Sequence, residues 1–289
     1  MVLSETHKFC LTLNGETPMK LQHIVAAVAL AASGTAFANV LDPLAAGGLG
    51  GEMSLTVYSA QAQASVLIDT GIMLADFRSI FTSGAKSFSL DLSSNAAFNS
   101  FLTLAGDASD IRFTFFGGDN SGPQAAARTM ITTVSGDATT VTNGNMADSL
   151  NQIKNNYLDT ANLKPAINPT LGGQANGSLL AQKGTDGNAY FLEVVGPTFG
   201  SKFVDTSAAI GTSVGIYDFV RSSTSALGDA TESALIGEGG RTAVAGLAKN
   251  AAGNYVFTVA APVPEPSSYA LALAGLALVG AAARRRAAK

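Results

Sequence analysis

Short alternating runs, cut apart by glycine and asparagine, most constrain what this chain can become. Met53-Ser54-Leu55-Thr56-Val57-Tyr58 alternates apolar and polar residues, and so does Phe88-Ser89-Leu90-Asp91-Leu92. Ser65 to Ile68, Ile111 to Phe116, Thr129 to Val134, Tyr190 to Val195, Val214 to Val220, Ala243 to Leu247 and Tyr255 to Val259 have similar strand character. Gly47-Gly48, Gly117-Gly118-Asp119-Asn120, Asn143-Gly144-Asn145, Gly172-Gly173, Gly184-Thr185-Asp186-Gly187-Asn188 and Gly239-Gly240 separate them as turns. A period of two places side chains on alternate faces of a strand, so the pattern calls for antiparallel sheets with one wet face. Spacings of about ten residues with Gly-rich turns predict a mainly β, antiparallel β-sandwich-like domain.

Two segments carry helical periodicity instead. Asn95 to Leu104 is a short Ala/Phe-bearing helix. In Met146 to Leu163, residues Met146, Leu150, Ile153, Tyr157 and Leu158 fall on one face, and Pro165 stops the run. One or two short helices therefore decorate the sheets.

The ends are built differently. Met19, Lys20 and His23 precede an apolar run from Ile24 to Ala32, then Ala36-Phe37-Ala38. A basic start, a short apolar core and an A-x-A site are the parts of a secretory signal peptide, with signal peptidase cutting after Ala38, behind Ala36 and Ala38. Counted from Met1 that leader exceeds the usual ~15–30 residues, so Met19 is the expected start. The chain thus divides into a leader (1–38) containing a signal helix, an extracellular β-rich domain (39–261) and a C-terminal signal (262–289).

That C-terminal segment reads Val263-Pro264-Glu265-Pro266-Ser267-Ser268, then Tyr269 to Ala283 without a charge, then Arg284-Arg285-Arg286. A single transmembrane helix over 268–283 would span about 24 Å at ~1.5 Å per residue, marginal for a hydrocarbon core of ~30 Å. Arg284, Arg285 and Arg286 would stay cytoplasmic and stop transfer, leaving the bulk outside. Pro262, Pro264 and Pro266 keep the approach extended and accessible.

Pro264-Glu265-Pro266, the short apolar helix and the arginine cluster together resemble a PEP-CTERM domain. The resemblance implies recognition and processing near the motif by the membrane enzyme exosortase, from a transient anchor in the inner membrane. It also implies a Gram-negative host that makes exopolysaccharide or biofilm, with the mature protein at the cell surface or in the extracellular matrix. Exopolysaccharide is the further partner expected there. Leu55 to Tyr58, Asp69-Thr70-Gly71 and Tyr217-Asp218-Phe219 loosely resemble pieces of other PEP-CTERM proteins of unassigned function.

Composition then narrows the chemistry of the mature part. Asn39 to Pro266 holds 11 Lys and Arg against 19 Asp and Glu, a net −8. Nucleic acid, which needs a basic footprint, is not an expected partner. Cys10, His7 and His23 all lie ahead of Ala38, and the chain has no Trp. The mature part therefore has no residue for a Cys or His nucleophile system, a zinc or haem ligand, or a disulfide. No cofactor and no metal is expected, and the reading is a structural or adhesive protein, not an enzyme.

Three further chemistries have weaker support. Val66-Leu67-Ile68-Asp69-Thr70-Gly71 resembles the Asp-Thr-Gly loop of aspartic peptidases, and Phe203-Val204-Asp205-Thr206-Ser207-Ala208 is a looser copy. A secreted aspartic-type hydrolase would need Asp69 and Asp205 to share one proton. However, Ile72 stands where that family has a small residue, and Ser207 where it has Gly. Residues 117–122 and 183–188 could offer oxygens to Ca²⁺, but each has a single carboxylate where such sites use several. Phe113, Phe115, Phe116, Tyr58, Tyr217 and Phe219 could form a sugar-stacking platform, or simply pack a core. Gly237-Glu238-Gly239-Gly240 lacks the Lys-Ser/Thr of a phosphate loop.

Overall fold

The computed structural model describes residues 40, 50–121, 128–159, 178–185, 189–262 and 275–276. Among these, the strands are β1 (Glu52–Ser59), β2 (Ala64–Met73), β3 (Phe88–Asp91), β4 (Arg112–Asp119), β5 (Thr129–Val134) and β6 (Leu179–Gln182). They continue with β7 (Ala208–Ala209), β8 (Ser213–Val220), β9 (Thr231–Ala234), β10 (Val244–Lys249) and β11 (Tyr255–Ala260). The α-helices are α1 (Leu74–Thr82), α2 (Ala96–Ala105), α3 (Asn143–Gln152) and α4 (Phe191–Val194). The last turn of α3 runs on as a π-helix over Ile153–Leu158.

The strands form one antiparallel sheet in the order β3-β11-β10-β8-β5-β4-β1-β2-β6, with β7 added to β4 and β9 to β8. This corrects the expected sandwich: there is a single sheet, and it curls. β4 and β11 are four strand spacings apart, about 19 Å in a flat sheet at ~4.8 Å each. Yet the rings of Phe115 and Phe257 lie 4.7 Å apart, and those of Phe113 and Phe257 5.9 Å. Only a sheet rolled into a half-barrel brings them together. The rolled edges also approach each other. Asn95, just beyond edge strand β3, donates from Nδ2 to Ser178 Oγ at 2.9 Å, just ahead of edge strand β6. The same Asn95 caps α2 by accepting the Phe98 N–H, satisfying a donor that a helix start leaves open. Helix α2 packs on β2 and β6 and sets Phe98 against Tyr255 of β11, so it plugs the gap between the edges.

Each face of the sheet carries its own apolar cluster. Inside the curl, Met53, Leu55, Val57, Val66, Ile68, Phe113, Phe115, Ile131, Ile216 and Phe257 pack with Phe77 of α1 and Phe101 of α2. Outside it, Phe116, Met130, Phe219, Leu67 and Tyr58 pack under Met146 and Leu150 of α3, Tyr157 of the π-helical turn and Phe191 of α4. The wet face expected from alternation is therefore covered. Its hydroxyls are buried, and many are paired: Thr56 Oγ1 and Tyr157 Oη are 3.1 Å apart, and Ser65 Oγ accepts the Phe191 N–H at 3.1 Å. A buried hydroxyl without a partner would be costly, so these pairs are what let a polar-alternating sheet carry helices on its outer face. Across the inner face, Arg78 of α1 reaches Asp218 of β8 with a bidentate pair, Nε to Oδ2 at 2.6 Å and Nη2 to Oδ1 at 2.9 Å.

Further differences are local. Tyr190 to Val195, expected as a strand, is the short helix α4. The second expected helix starts at Asn143, capped by Thr142 accepting the Asn145 N–H, and is described only through Asp159. Helix α1 and strands β6, β7 and β9 lie outside the sequence-based expectations; α1 begins directly at the end of β2 with no side-chain cap. Among the described residues no helix is long and apolar enough to cross a membrane. The expected signal helix and the expected span 268–283 lie outside the described residues, apart from Gly275 and Leu276, which are helical.

Candidate functional site

Two places on the described body gather polar chemistry. The first is where the sheet splits. β4 pairs with β5 over Phe116–Asp119, but over Arg112–Phe113 it pairs with β7. Between these stretches β5 turns away toward β8, and threonines take over backbone bonds that the ladder no longer makes. Thr133 Oγ1 accepts the Phe115 N–H at 3.1 Å and donates to Thr206 O at 2.5 Å. Thr206 Oγ1 sits 2.8 Å from Thr114 Oγ1 and 2.8 Å from Pro197 O. Satisfying buried backbone groups with hydroxyls keeps a split sheet tolerable in the interior.

The split opens as a shallow cleft of about 450 Å³. Arg112, Ser135, Ser207, Thr212 and Ser213 give it polar walls, while Ala208 and Val214 beside it are buried and belong to the inner-face cluster. The Arg112 guanidinium is fixed: Nε donates to Ser207 Oγ at 2.9 Å and Nη2 to Ser207 O at 3.1 Å. Asp205 lies 3.7 Å from Nη2 and accepts the Ser207 N–H and hydroxyl at 2.9 and 2.8 Å. Tyr58 closes this network from inside; burial pushes its hydroxyl up, while Ser207 and Arg112 pull it down. A Cβ added to Gly215 at the rim would come within 2.8 Å of Tyr217 Cε2, so the Tyr217 ring would have to shift aside.

The second place is Asp69, buried on the outer face of β2 beside its cross-strand partner Ser54. Removal from water, and then the Glu52 carboxylate, push the Asp69 carboxyl up to about 7, against the Gly71 N–H donated to Oδ1 at 2.8 Å. The Ser54 hydroxyl is buried without a hydrogen-bond partner. Asp69 and Asp205 do not form a dyad. Asp69 pairs with Ser54, whereas Asp205 sits by Arg112, which pairs with Tyr58. Four residues of β1 separate these levels, about 13 Å at ~3.3 Å per residue. Two carboxyls sharing a proton must touch, and these stand at opposite ends of the ladder.

The aromatic and calcium expectations meet the structure too. Phe113, Phe115, Phe116, Phe219 and Tyr58 are buried, so five of the six aromatics offer no sugar platform. Asp119 spends its carboxylate on the Ser121 N–H and hydroxyl as a local turn. Among the described residues no group of three or more His, Cys, Asp or Glu is placed to hold a metal ion. Gly122 and residues 186–188 lie outside the described residues. So do Ala36, Ala38, Pro264, Glu265, Pro266, Arg284, Arg285 and Arg286.

Ala261, at 6 % exposure, is the last buried residue among the described ones, with Gly237 pressed so close that an added Cβ would meet the Ala261 N at 2.7 Å. Pro262, next in line, is exposed. Residues 262–286 match the PEP-CTERM protein-sorting motif. No curated protein and no solved structure matches the chain. The motif implies a secreted protein carrying a C-terminal sorting signal.

The sequence marked that tail because its signal is linear. It held no sign of the cleft. Arg112 and Ser207 are 95 residues apart, and nothing in either neighbourhood sets them apart from other strand and turn residues.

Proposed function

We propose that this chain is an exported surface or matrix protein that exosortase sorts and processes through Pro264-Glu265-Pro266, and that its mature body is structural or adhesive. In this reading signal peptidase removes the leader, the apolar tail anchors the precursor in the inner membrane of a Gram-negative cell, and Arg284–Arg286 hold its end in the cytoplasm. The product then joins the cell surface or the exopolysaccharide matrix.

One observation carries the reading: the sorting motif at 262–286 starts one residue after Ala261, the last buried residue among the described ones. At ~3.6 Å per extended residue, Pro266 lies within about 18 Å of Ala261. The processing segment is thus a short leash between a folded domain and the membrane. β11 is held on both sides, by β10 and β3, so the body keeps its last strand when the tail is cut.

Replacing Pro264, Glu265 and Pro266 together by Ala tests this in the native host. The expected result is a full-length precursor held in the inner-membrane fraction, with the processed form lost from the surface or medium. A processed form of unchanged size and location would contradict it.

A further inference from the structure

Strands β8 and β9 are joined by ten residues, Arg221 to Ala230, where a hairpin connection needs about two to five. The extra length is held in place by Asn143, which is fully buried at the start of α3. Its Nδ2 donates to Ser222 Oγ, Ser223 Oγ and Ser225 O at 3.2, 3.3 and 3.0 Å, and its Oδ1 accepts the Ser222 N–H at 2.9 Å. The first N–H groups of α3 grip the tip of the loop: Gly144 donates to Ala226 O at 2.9 Å and Asn143 to Gly228 O at 2.8 Å. Leu227 is clamped between those two carbonyls and stands 91 % exposed, more than any other large apolar residue described. A side chain at position 144 would displace the clamp, since an added Cβ would meet the Ala226 O at 2.9 Å. Single exposed leucines are ordinary on a surface. This one is fixed outward and barred from folding back onto the body.

The loop also lies at the end of the sheet toward which the chain leaves it. β11 is antiparallel to β10 and β10 to β8, so β11 runs in the same direction as β8. Ala260 pairs with Val244 and Val244 with Gly215, which puts Ala261 level with Ile216. From that level to Val220, where β8 ends and the loop begins, is about 13 Å at ~3.3 Å per strand residue. The tail from Ala261 to the expected span at Ser268 covers at most about 25 Å at ~3.6 Å per residue. The body itself bridges about half of that length, and a headgroup layer of ~5–7 Å takes part of the rest.

We propose that, while the tail anchors the precursor, the loop 221–230 docks on the lipid surface of the same bilayer with Leu227 inserted among the acyl chains. This rests on the sorting reading, because it needs the tail in the membrane. One leucine is too little to hold a free protein on a bilayer, but the tether makes the contact intramolecular and raises its effective concentration. Within the loop Arg221 is balanced by Asp229, so docking needs no anionic lipid. The contact orients the body while its tail is processed, and it lapses once the tail is cut, which frees the product.

The chain has no Trp, so L227W, L104W and L276W each carry a single fluorescent reporter. All three positions are exposed, so the replacements leave the body folded. Leu104 marks the opposite end of the sheet, shortly before Ser109, whose N–H reaches Gln61 in the β1–β2 turn. Leu276 lies in the expected span. Each full-length variant is reconstituted into phosphatidylcholine vesicles with and without brominated acyl chains, which quench a Trp that enters the bilayer. The expected result is strong quenching of L276W, at least twofold quenching of L227W with a blue-shifted emission, and no quenching of L104W. Quenched L276W with unquenched L227W would overturn the docking and leave the anchor standing. Equal quenching of L104W and L227W would overturn it as well, because the body would then present no preferred end. A blue shift of L227W without quenching would mean that a second copy of the chain, not lipid, covers Leu227. Unquenched L276W would overturn the anchor and the docking with it.

Discussion

Raising the pH from about 4 to about 8 should weaken the fold through Asp69, and Asp69→Asn should remove that part of the loss. Burial and the neighbouring Glu52 raise the Asp69 carboxyl from 3.8 to about 7. The folded state therefore binds the proton more tightly than the unfolded chain does. Stability from this group is fully present below about 4 and is lost as the pH climbs through about 7. A shift of about three units corresponds to roughly 4 kcal/mol at ~1.36 kcal/mol per unit, against a total stability of ~5–15 kcal/mol for ordinary domains. Asn copies the protonated acid: it keeps an oxygen for the Gly71 N–H and never ionises. Urea denaturation at several pH values should show the wild type falling away from Asp69→Asn above pH 5, with the gap levelling off past pH 8. Parallel curves would mean that Asp69 is as well hydrated in the fold as in the unfolded chain.

Phe257→Ala should cost about 3–5 kcal/mol, the usual range for deleting a fully buried phenylalanine. Its ring meets those of Phe115 at 4.7 Å, Phe113 at 5.9 Å and Phe88 at 6.4 Å, so the cavity would open where β11 and β3 meet β4 across the curl. The neighbours sit on two strands, Phe113 and Phe115 on β4 and Phe88 on β3, and cannot all close in, which keeps the loss toward the upper end. Combined with Phe115→Ala, the two losses should fall short of additivity by about 0.5–1.5 kcal/mol, as for rings in direct contact. A loss under about 1 kcal/mol, or strict additivity, would contradict the rolled sheet, because rings four strands apart touch only if it curls.

How far the sequence announced this structure depended on how local each signal was. Met53–Tyr58 and Phe88–Leu92 declared themselves as strands because a period of two is written in consecutive residues. Asn95 opened a helical segment for an equally local reason, since its side chain accepts the Phe98 N–H, whereas the stop expected at Pro165 lies outside the described residues. Tyr190–Val195 misled, since four residues are too few to show a helical period and Tyr, Phe and Val favour strands. Helix α1 stayed hidden because it starts at the end of β2 without a cap, so nothing marked the change of period.

The sandwich expectation failed at a longer range. Alternation says which residues share a face but not which strands are neighbours. β11 lies beside β3, with Phe257 opposite Leu90, and no local pattern predicts that pairing. Nor does alternation reveal that α3 and α4 bury the hydroxyl-bearing face. Ser54, Thr56 and Thr132 read as solvent-facing, and their burial depends on helices far along the chain. The cleft was illegible for the same reason, being assembled from Arg112, Ser135 and Ser207 by the sheet split. The sorting tail needed no tertiary structure to be recognised.

The most direct measurement is the intact mass of the protein recovered from the outer surface or medium of its host. The account predicts a species that begins at Asn39 and ends near Pro264–Pro266, without the apolar stretch and without Arg284, Arg285 and Arg286. A surface form that still carries Lys289, or an intact chain found only in the cytosol, would contradict it.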